Sequence, residues 1–256
     1  MSKLIYPLFT LVALIALWYM AVLVFHVPKY LLPLPEQVLA RIWNDFGFLC
    51  GHAAVTTGVT AGGFLLSVVV GIPLAAALVS SPTLDKAVMP WLILSQTFPK
   101  VALAPLIVVW FGLGFMPKVA VTFLVAFFPV VISTIVGLRS MENEMLELAR
   151  SMRASRFQMF WRFRMPLALP SIFSGLKVSV AFSVVGAVIA EWVGANRGLG
   201  YLLLSANGNL DTELLFAVLF FLTVIGIVMY YGVEFVERLA IPWHASVRLK
   251  DGAMAH

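Results

Sequence analysis

Long apolar runs separated by short polar stretches dominate this chain. Six runs stand out, near 4–25, 58–80, 87–111, 118–138, 171–191 and 214–236. An α-helix rises about 1.5 Å per residue, so roughly 20 apolar residues cross a hydrocarbon core of about 30 Å. The runs do not alternate between apolar and polar positions, which argues against a barrel. Helices then remain as the spanning element, because a backbone in lipid must satisfy its own polar groups. The pattern predicts an all-α integral membrane protein of about six transmembrane helices, built as one domain over 1–256. The first run is too long for a signal-peptide core and lacks a small-residue cleavage site, so it is expected to be retained.

The stretch 26–57 between the first two runs is prolyl-rich at 28–35. Val38, Ile42, Phe46 and Leu49 then recur at helical spacing. That spacing predicts an amphipathic helix lying at a membrane surface. Gly58, Gly62, Gly63 and Gly71 predict close helix packing in the second span. Pro99 and Pro105 are expected to break the third span, freeing carbonyls beside Ser95, Gln96 and Thr97 to line a cavity. Lys100 between those prolines reads either as a pathway residue or as a side chain that snorkels or caps a carbonyl.

Composition sharpens the class. The chain is 62% hydrophobic and 11% charged, whereas soluble domains carry about 25% charge. The net charge of +5 therefore reads as membrane topology, not nucleic-acid binding. With the N-terminus inside, 12 of the 17 Lys and Arg residues fall in inner segments, Lys177 counted among them. Lys29, Arg41, Lys118 and Arg197 fall outside, and Lys100 lies within a span. The asymmetry places both termini in the cytoplasm. Trp18, Trp43, Trp91, Trp110, Trp192 and Trp243 lie near expected span ends, as interface anchors do. Cys50 is the single cysteine and cannot form an intrachain disulfide.

The longest polar stretch, 139–170, falls on the inner side and predicts two short helices. Ser140 is expected to N-cap the first, with Glu142 and Glu144 in its first turn and Glu147 paired with Arg150. Ser155-Arg156-Phe157-Gln158 fits a capping box that starts the second helix at Arg156. Pro166 disfavours helix at Met165, so that helix is expected to stop near Arg164. Phe157, Phe160, Trp161 and Phe163 stand among Arg156, Arg162 and Arg164. They either pack on the protein's own span ends or at the lipid interface, or form a knob for a partner, since aromatics and Arg are enriched at binding hot spots.

Glu147-Leu148-Ala149-Arg150-Ser151-Met152-Arg153-Ala154 through Phe160, then Met165-Pro166-Leu167-Ala168, resembles the "EAA" loop of binding-protein-dependent ABC importer permeases. Phe98-Pro99-Lys100, Trp110-Phe111-Gly112-Leu113-Gly114, Phe127-Phe128-Pro129, Gly175-Leu176-Lys177 and Gly198-Leu199-Gly200-Tyr201 are similar to the nitrate/sulfonate/taurine branch. The closing stretch from Glu237 to His244 is similar to members for pyrimidine-precursor, riboflavin-like or sulfonate uptake. Leu148 replaces the family's first Ala, and Arg153 replaces its Gly, which would extend the helix or alter the turn.

The resemblance implies a type I importer permease that does no bond chemistry. Its loop would be a coupling helix seated on cytoplasmic ATP-binding subunits, which bind ATP and Mg; this chain would hold no cofactor. A periplasmic or lipid-anchored binding protein would deliver a small organic solute, and a second copy would complete the pathway. Coupling then falls to Glu147, Ala149, Arg153, Ala154, Phe157, Phe160 and Pro166. Gln96, Thr97 and Lys100 are the candidate pathway residues. Glu191, Arg197, Asn207 and Asp211 are candidates for docking the binding protein or closing an outer gate, against readings of Glu191 as an interfacial carboxylate held by Trp192 and backbone amides or paired with Arg197, and of the rest as solvated loop. Glu234 and Glu237 are expected to pair with Arg238 or a loop Arg. No Gly-rich loop ending in Lys-Ser or Lys-Thr occurs, and the histidines lack metal-ligand spacing. An ATPase-independent channel or secondary transporter is the alternative, opposed by few interior charges and no inverted repeat.

Overall fold

A computed structural model describes residues 2–242 and consists of helices joined by short turns. Trp243, His244, Arg248 and Lys250 lie outside the described residues. The chain opens with α1 (Ser2–Val24) and a short α2 (Pro35–Asn44). Helix α3 (Phe46–Ser80) runs for 35 residues, about 50 Å at 1.5 Å per residue, so it extends well beyond one hydrocarbon core. After α4 (Pro82–Thr97), a turn of 3-10 helix and α5 (Ala104–Phe111), the chain crosses back through α6 (Phe115–Arg139). Then come α7 (Asn143–Ser151), α8 (Arg156–Gln158), α9 (Met165–Gly194), α10 (Leu199–Gly208) and α11 (Thr212–Ala240).

Among the described residues four helices are long and apolar enough to cross a membrane, and α4 with Lys100–Phe111, bent by 87°, brings the number to as many as five. Helix α1, apolar over Leu8–Val24, is the remaining expected segment. The third span is therefore not one helix. Its break falls at Phe98-Pro99, while Pro105 sits harmlessly at the start of α5, where a helix has no use for its N–H.

Helix α6 lies between α3 and α9. Small residues allow this approach. A Cβ on Gly63 would overlap Thr122, one on Gly175 would overlap Ser133, and one on Gly186 would lie 2.9 Å from the Thr122 Cα. Hydroxyls stitch the same seams: Ser179 donates to the Ala126 carbonyl at 2.8 Å and Ser171 to the Ser133 carbonyl at 2.9 Å. Lipid supplies no hydrophobic force between helices, so packing of this kind and interhelical hydrogen bonds of about 0.6 kcal/mol each hold the seam.

The stretch expected to form one amphipathic helix divides at Asp45: Val38 and Ile42 lie in α2, which packs on α11, and Phe46 and Leu49 open α3. Arg41 joins α2 to α11, pairing with Asp45 at 2.9 Å and with Asp211 at 3.0 Å. Lys177, counted with the inner loops, lies inside α9 and pairs with Glu237 on α11, while Glu234 pairs with Arg238 at 2.9 Å. Arg139 at the end of α6 reaches Asp85 in the first turn of α4 at 2.6 Å. Three helix ends close with a residue in the left-handed region that is not glycine: His26, Arg153 and Leu210.

Candidate functional site: an elbow, a lever and a polar lock

The elbow begins where α6 ends. Ser140 does not N-cap the next helix. It finishes α6, its hydroxyl donating to the Gly137 carbonyl at 2.7 Å, and α7 starts at Asn143. Ala149 is fully buried and Glu147 is exposed; the side chain of Arg150, its expected partner, lies outside what is described. Helix α7 closes with a bond from the Ala154 N–H to the Ala149 carbonyl at 3.1 Å, across Arg153 at φ 54°. This is the six-to-one bond of a Schellman motif, with Arg153 at the position that usually takes glycine. Arg153 thus neither extends the helix nor abolishes the turn.

The expected capping box is present. The Gln158 N–H donates to Ser155 Oγ at 3.2 Å, and the Ser155 N–H donates to Gln158 Oε1 at 2.9 Å. The expected stop at Arg164 is absent. Residues Met159–Arg164 wind as π-helix, and the chain continues without a break from Arg156 to Gly194, 39 residues in all. A prolyl ring collides with the carbonyl one α-turn behind it and offers no N–H. The wider π turn before Pro166 relieves both demands, so the helix passes through.

The loop aromatics divide. Phe157 and Trp161 face outward at 71% and 52% exposure. Phe160 instead packs against the inner cluster of Phe64, Leu138, Ile172 and Ile241, beside half-buried Met165. Ala154, Phe163 and Pro166 are half-buried. The aromatics therefore differ: Phe160 packs on the protein's own span ends, whereas Phe157 and Trp161 are exposed.

At the other end of the same helix, Glu191 is 1% exposed. The Thr56 hydroxyl of α3 donates to its Oε1 at 2.9 Å, and the Gly200 N–H donates to Oε2 at 2.7 Å. The Leu199 N–H donates to Thr56 Oγ1 at 2.7 Å, and the Gly198 N–H to His52 Nδ1 at 3.1 Å. The His52 ring lies against Phe48, with centroids 4.6 Å apart, and stacks towards Tyr201. Gly198 adopts φ 122°, and a Cβ there would overlap the Glu191 carboxyl group. This polar lock ties α3, α9 and α10 together. Sequence reasoning found Glu191 and the glycines but missed Thr56 and His52, which are apolar-span residues distant in sequence.

The remaining candidates do not join the lock. Arg197 and Asn207 are exposed. Glu191 is held by Thr56 and Gly200, not by Arg197 or Trp192. Asp211 caps α11, accepting from the Leu214 N–H at 3.1 Å, and is the partner of Arg41. At the bent span, Gln96 and Thr97 are exposed, and the hydroxyls of Ser95 and Thr97 turn back to the Leu92 and Leu94 carbonyls. The Lys100 ammonium lies 3.5 Å from the centre of the Phe128 ring on α6, a cation–π contact. Among the described residues no three His, Cys, Asp or Glu side chains converge.

Comparison with known proteins agrees with this layout. Residues 67–241 match the family described as binding-protein-dependent transport system inner membrane component. The chain is 38% identical over 215 residues to the formylaminopyrimidine transport permease protein ThiX of Halalkalibacterium halodurans, covering 84% of this chain and 86% of that one. It is 37% identical over 239 residues to the riboflavin transport system permease protein RibX of Chloroflexus aurantiacus, covering 93% and 89%. In structure it resembles an inward-facing form of the MetNI methionine ABC transporter, with a TM-score of 0.65, 18% identity and coverage of 78% and 97%.

Proposed function

The chain belongs to the family of binding-protein-dependent transport system inner membrane components, and from that premise we propose that it is half of a homodimeric importer permease whose transport cycle is driven through the elbow at Arg153 to Phe163. Two cytoplasmic ATP-binding subunits, which hold ATP and Mg, grip Phe157 and Trp161. A binding protein on the opposite face delivers a small organic solute of the pyrimidine-precursor, riboflavin or sulfonate kind. Both termini lie in the cytoplasm, as the Lys and Arg asymmetry favours.

The observation that carries this reading is the unbroken helix from Arg156 to Gly194. An exposed aromatic pair stands at one end and the polar lock at the other. Packed interfaces move as discrete bodies, so a small displacement at Phe157 travels along the helix instead of dissipating in a loop. The seams with α6 make α6 travel with it. The resulting sequence is closure of the ATPases, approach of the two elbows, opening of the outer face, and hydrolysis to reset.

Phe157→Asp tests this directly. Capture of the ATP-binding subunit and solute uptake are both expected to vanish, while the permease still inserts and purifies as a folded dimer. Normal uptake by Phe157→Asp overturns the coupling assignment and favours a transporter that needs no ATPase.

A further inference from the structure

A cleft of about 450 Å³ opens between the start of the long helix and the α3–α4 junction. Arg156 and Arg164 line it from one side, and Val79, Ser80 and Pro82 from the other, with Phe160 between them. No Asp or Glu lines it. Among the described residues neither arginine has an ion pair, and the Arg164 Nε is buried without a hydrogen-bond partner. Asp85, in the first turn of α4, is already engaged by Arg139. A guanidinium carries five N–H donors and no acceptor, and the buried Nε of Arg164 is a donor still open to an oxygen ligand.

The height of the cleft narrows the ligand. Val79 and Ser80 are the last residues of a membrane-crossing helix, and Pro82 begins the next. Ser80 also ends the apolar run 58–80, and Asp85 and Lys86 follow within six residues, so the cleft lies at the polar edge of that span. Val79, Pro82 and Phe160 offer apolar wall beside the two cations, which suits an amphiphile better than a free ion.

We propose that this cleft binds the phosphate of an anionic phospholipid, held by Arg156 and Arg164, with the lipid's glycerol and upper acyl chain lying against Val79, Pro82 and Phe160. The bound headgroup would bridge the α3–α4 junction to the root of the elbow. The assignment needs only that α3 and α9 cross a membrane, and it does not depend on ATPase coupling.

The test is native mass spectrometry of the full-length permease purified in neutral detergent with equal phosphatidylglycerol and phosphatidylcholine. Two basic residues near a membrane surface correspond to about thirtyfold in affinity, so wild type is expected to retain phosphatidylglycerol by about that factor. The Arg156→Gln/Arg164→Gln double variant should lose the preference, and Arg156→Gln alone, at an exposed and unpaired side chain, should lose about fivefold. Lys86→Gln, on the same end of the bundle but outside the cleft, should behave as wild type. Unchanged preference in Arg156→Gln and the double variant overturns the proposal. So does displacement of the lipid by inorganic phosphate alone, which would mark a free-anion site. Displacement by the purified ATP-binding subunit would assign the arginines to that protein's carboxylates and overturns it equally. Loss of lipid preference in Arg164→Gln, outside the Arg153–Phe163 stretch assigned to the ATP-binding subunits, supports the lipid site whatever becomes of the coupling reading.

Discussion

The Thr56 hydroxyl and the Glu191 carboxylate lie 2.9 Å apart at a buried crossing of α3 and α9, although 135 residues separate them in the chain. Each also holds the return into α10, through the N–H groups of Leu199 and Gly200. Removing either partner strands buried polar groups. Thr56→Val is expected to lower stability by about 1–3 kcal/mol, and Glu191→Ala by at least as much. Thermal unfolding of the detergent-solubilised protein measures both. Additive losses in the Thr56→Val/Glu191→Ala double variant would contradict a shared network, which predicts that the second removal costs less than the first.

Gly198 and Gly208 form a matched pair of tests. A Cβ at Gly198 meets both a φ of 122° and the Glu191 carboxyl group, whereas one at Gly208 meets open space. Gly198→Ala should therefore abolish a stable fold or displace α10, and Gly208→Ala should be neutral or slightly stabilising. Yields and melting temperatures of the two variants, compared side by side, decide it.

Arg153 occupies the left-handed position at the end of α7, which costs a residue with a Cβ roughly 1 kcal/mol. Arg153→Gly is expected to steady that turn and slow hydrogen exchange at the Ala154 N–H by roughly fivefold. Faster exchange would mean that the arginine side chain, not the backbone, holds the turn.

Lys177 and Glu237 face each other with little solvent between α9 and α11. Breaking a buried pair leaves one charge uncompensated, so Lys177→Met should cost about 3–5 kcal/mol. Replacing both, as Lys177→Met with Glu237→Leu, should recover most of the loss. Chemical denaturation of the single and double variants provides the comparison.

Sequence alone carried the all-helical, membrane-crossing class well, because hydropathy in lipid is a strong and local signal. The capping box at Ser155 was equally legible, since all of its atoms come from four consecutive residues. Pro166 misled because the rule that proline ends a helix assumes α-geometry on its N-terminal side, and the chain supplies π turns there. Ser140 misled because a serine beside a helix end can serve either neighbour, and α6 claims it. Lys177 was counted with the inner charges although the expected span 171–191 already held it, and α9 carries that span back to Met165. Thr56, His52 and Arg41 escaped notice for a common reason: their partners lie 135, 146 and 170 residues away.

The widened turns at Met159–Arg164 also act as a slip joint. A π turn closes with one residue more than an α turn, so the extra residue is absorbed where it stands and the helix on either side keeps its bearing. Removing one residue here and returning the segment to α-geometry would therefore leave Phe157 on nearly its present azimuth relative to Lys177 and Glu191. The segment can thus gain or lose a residue without turning the outward-facing ring away from the companion it meets.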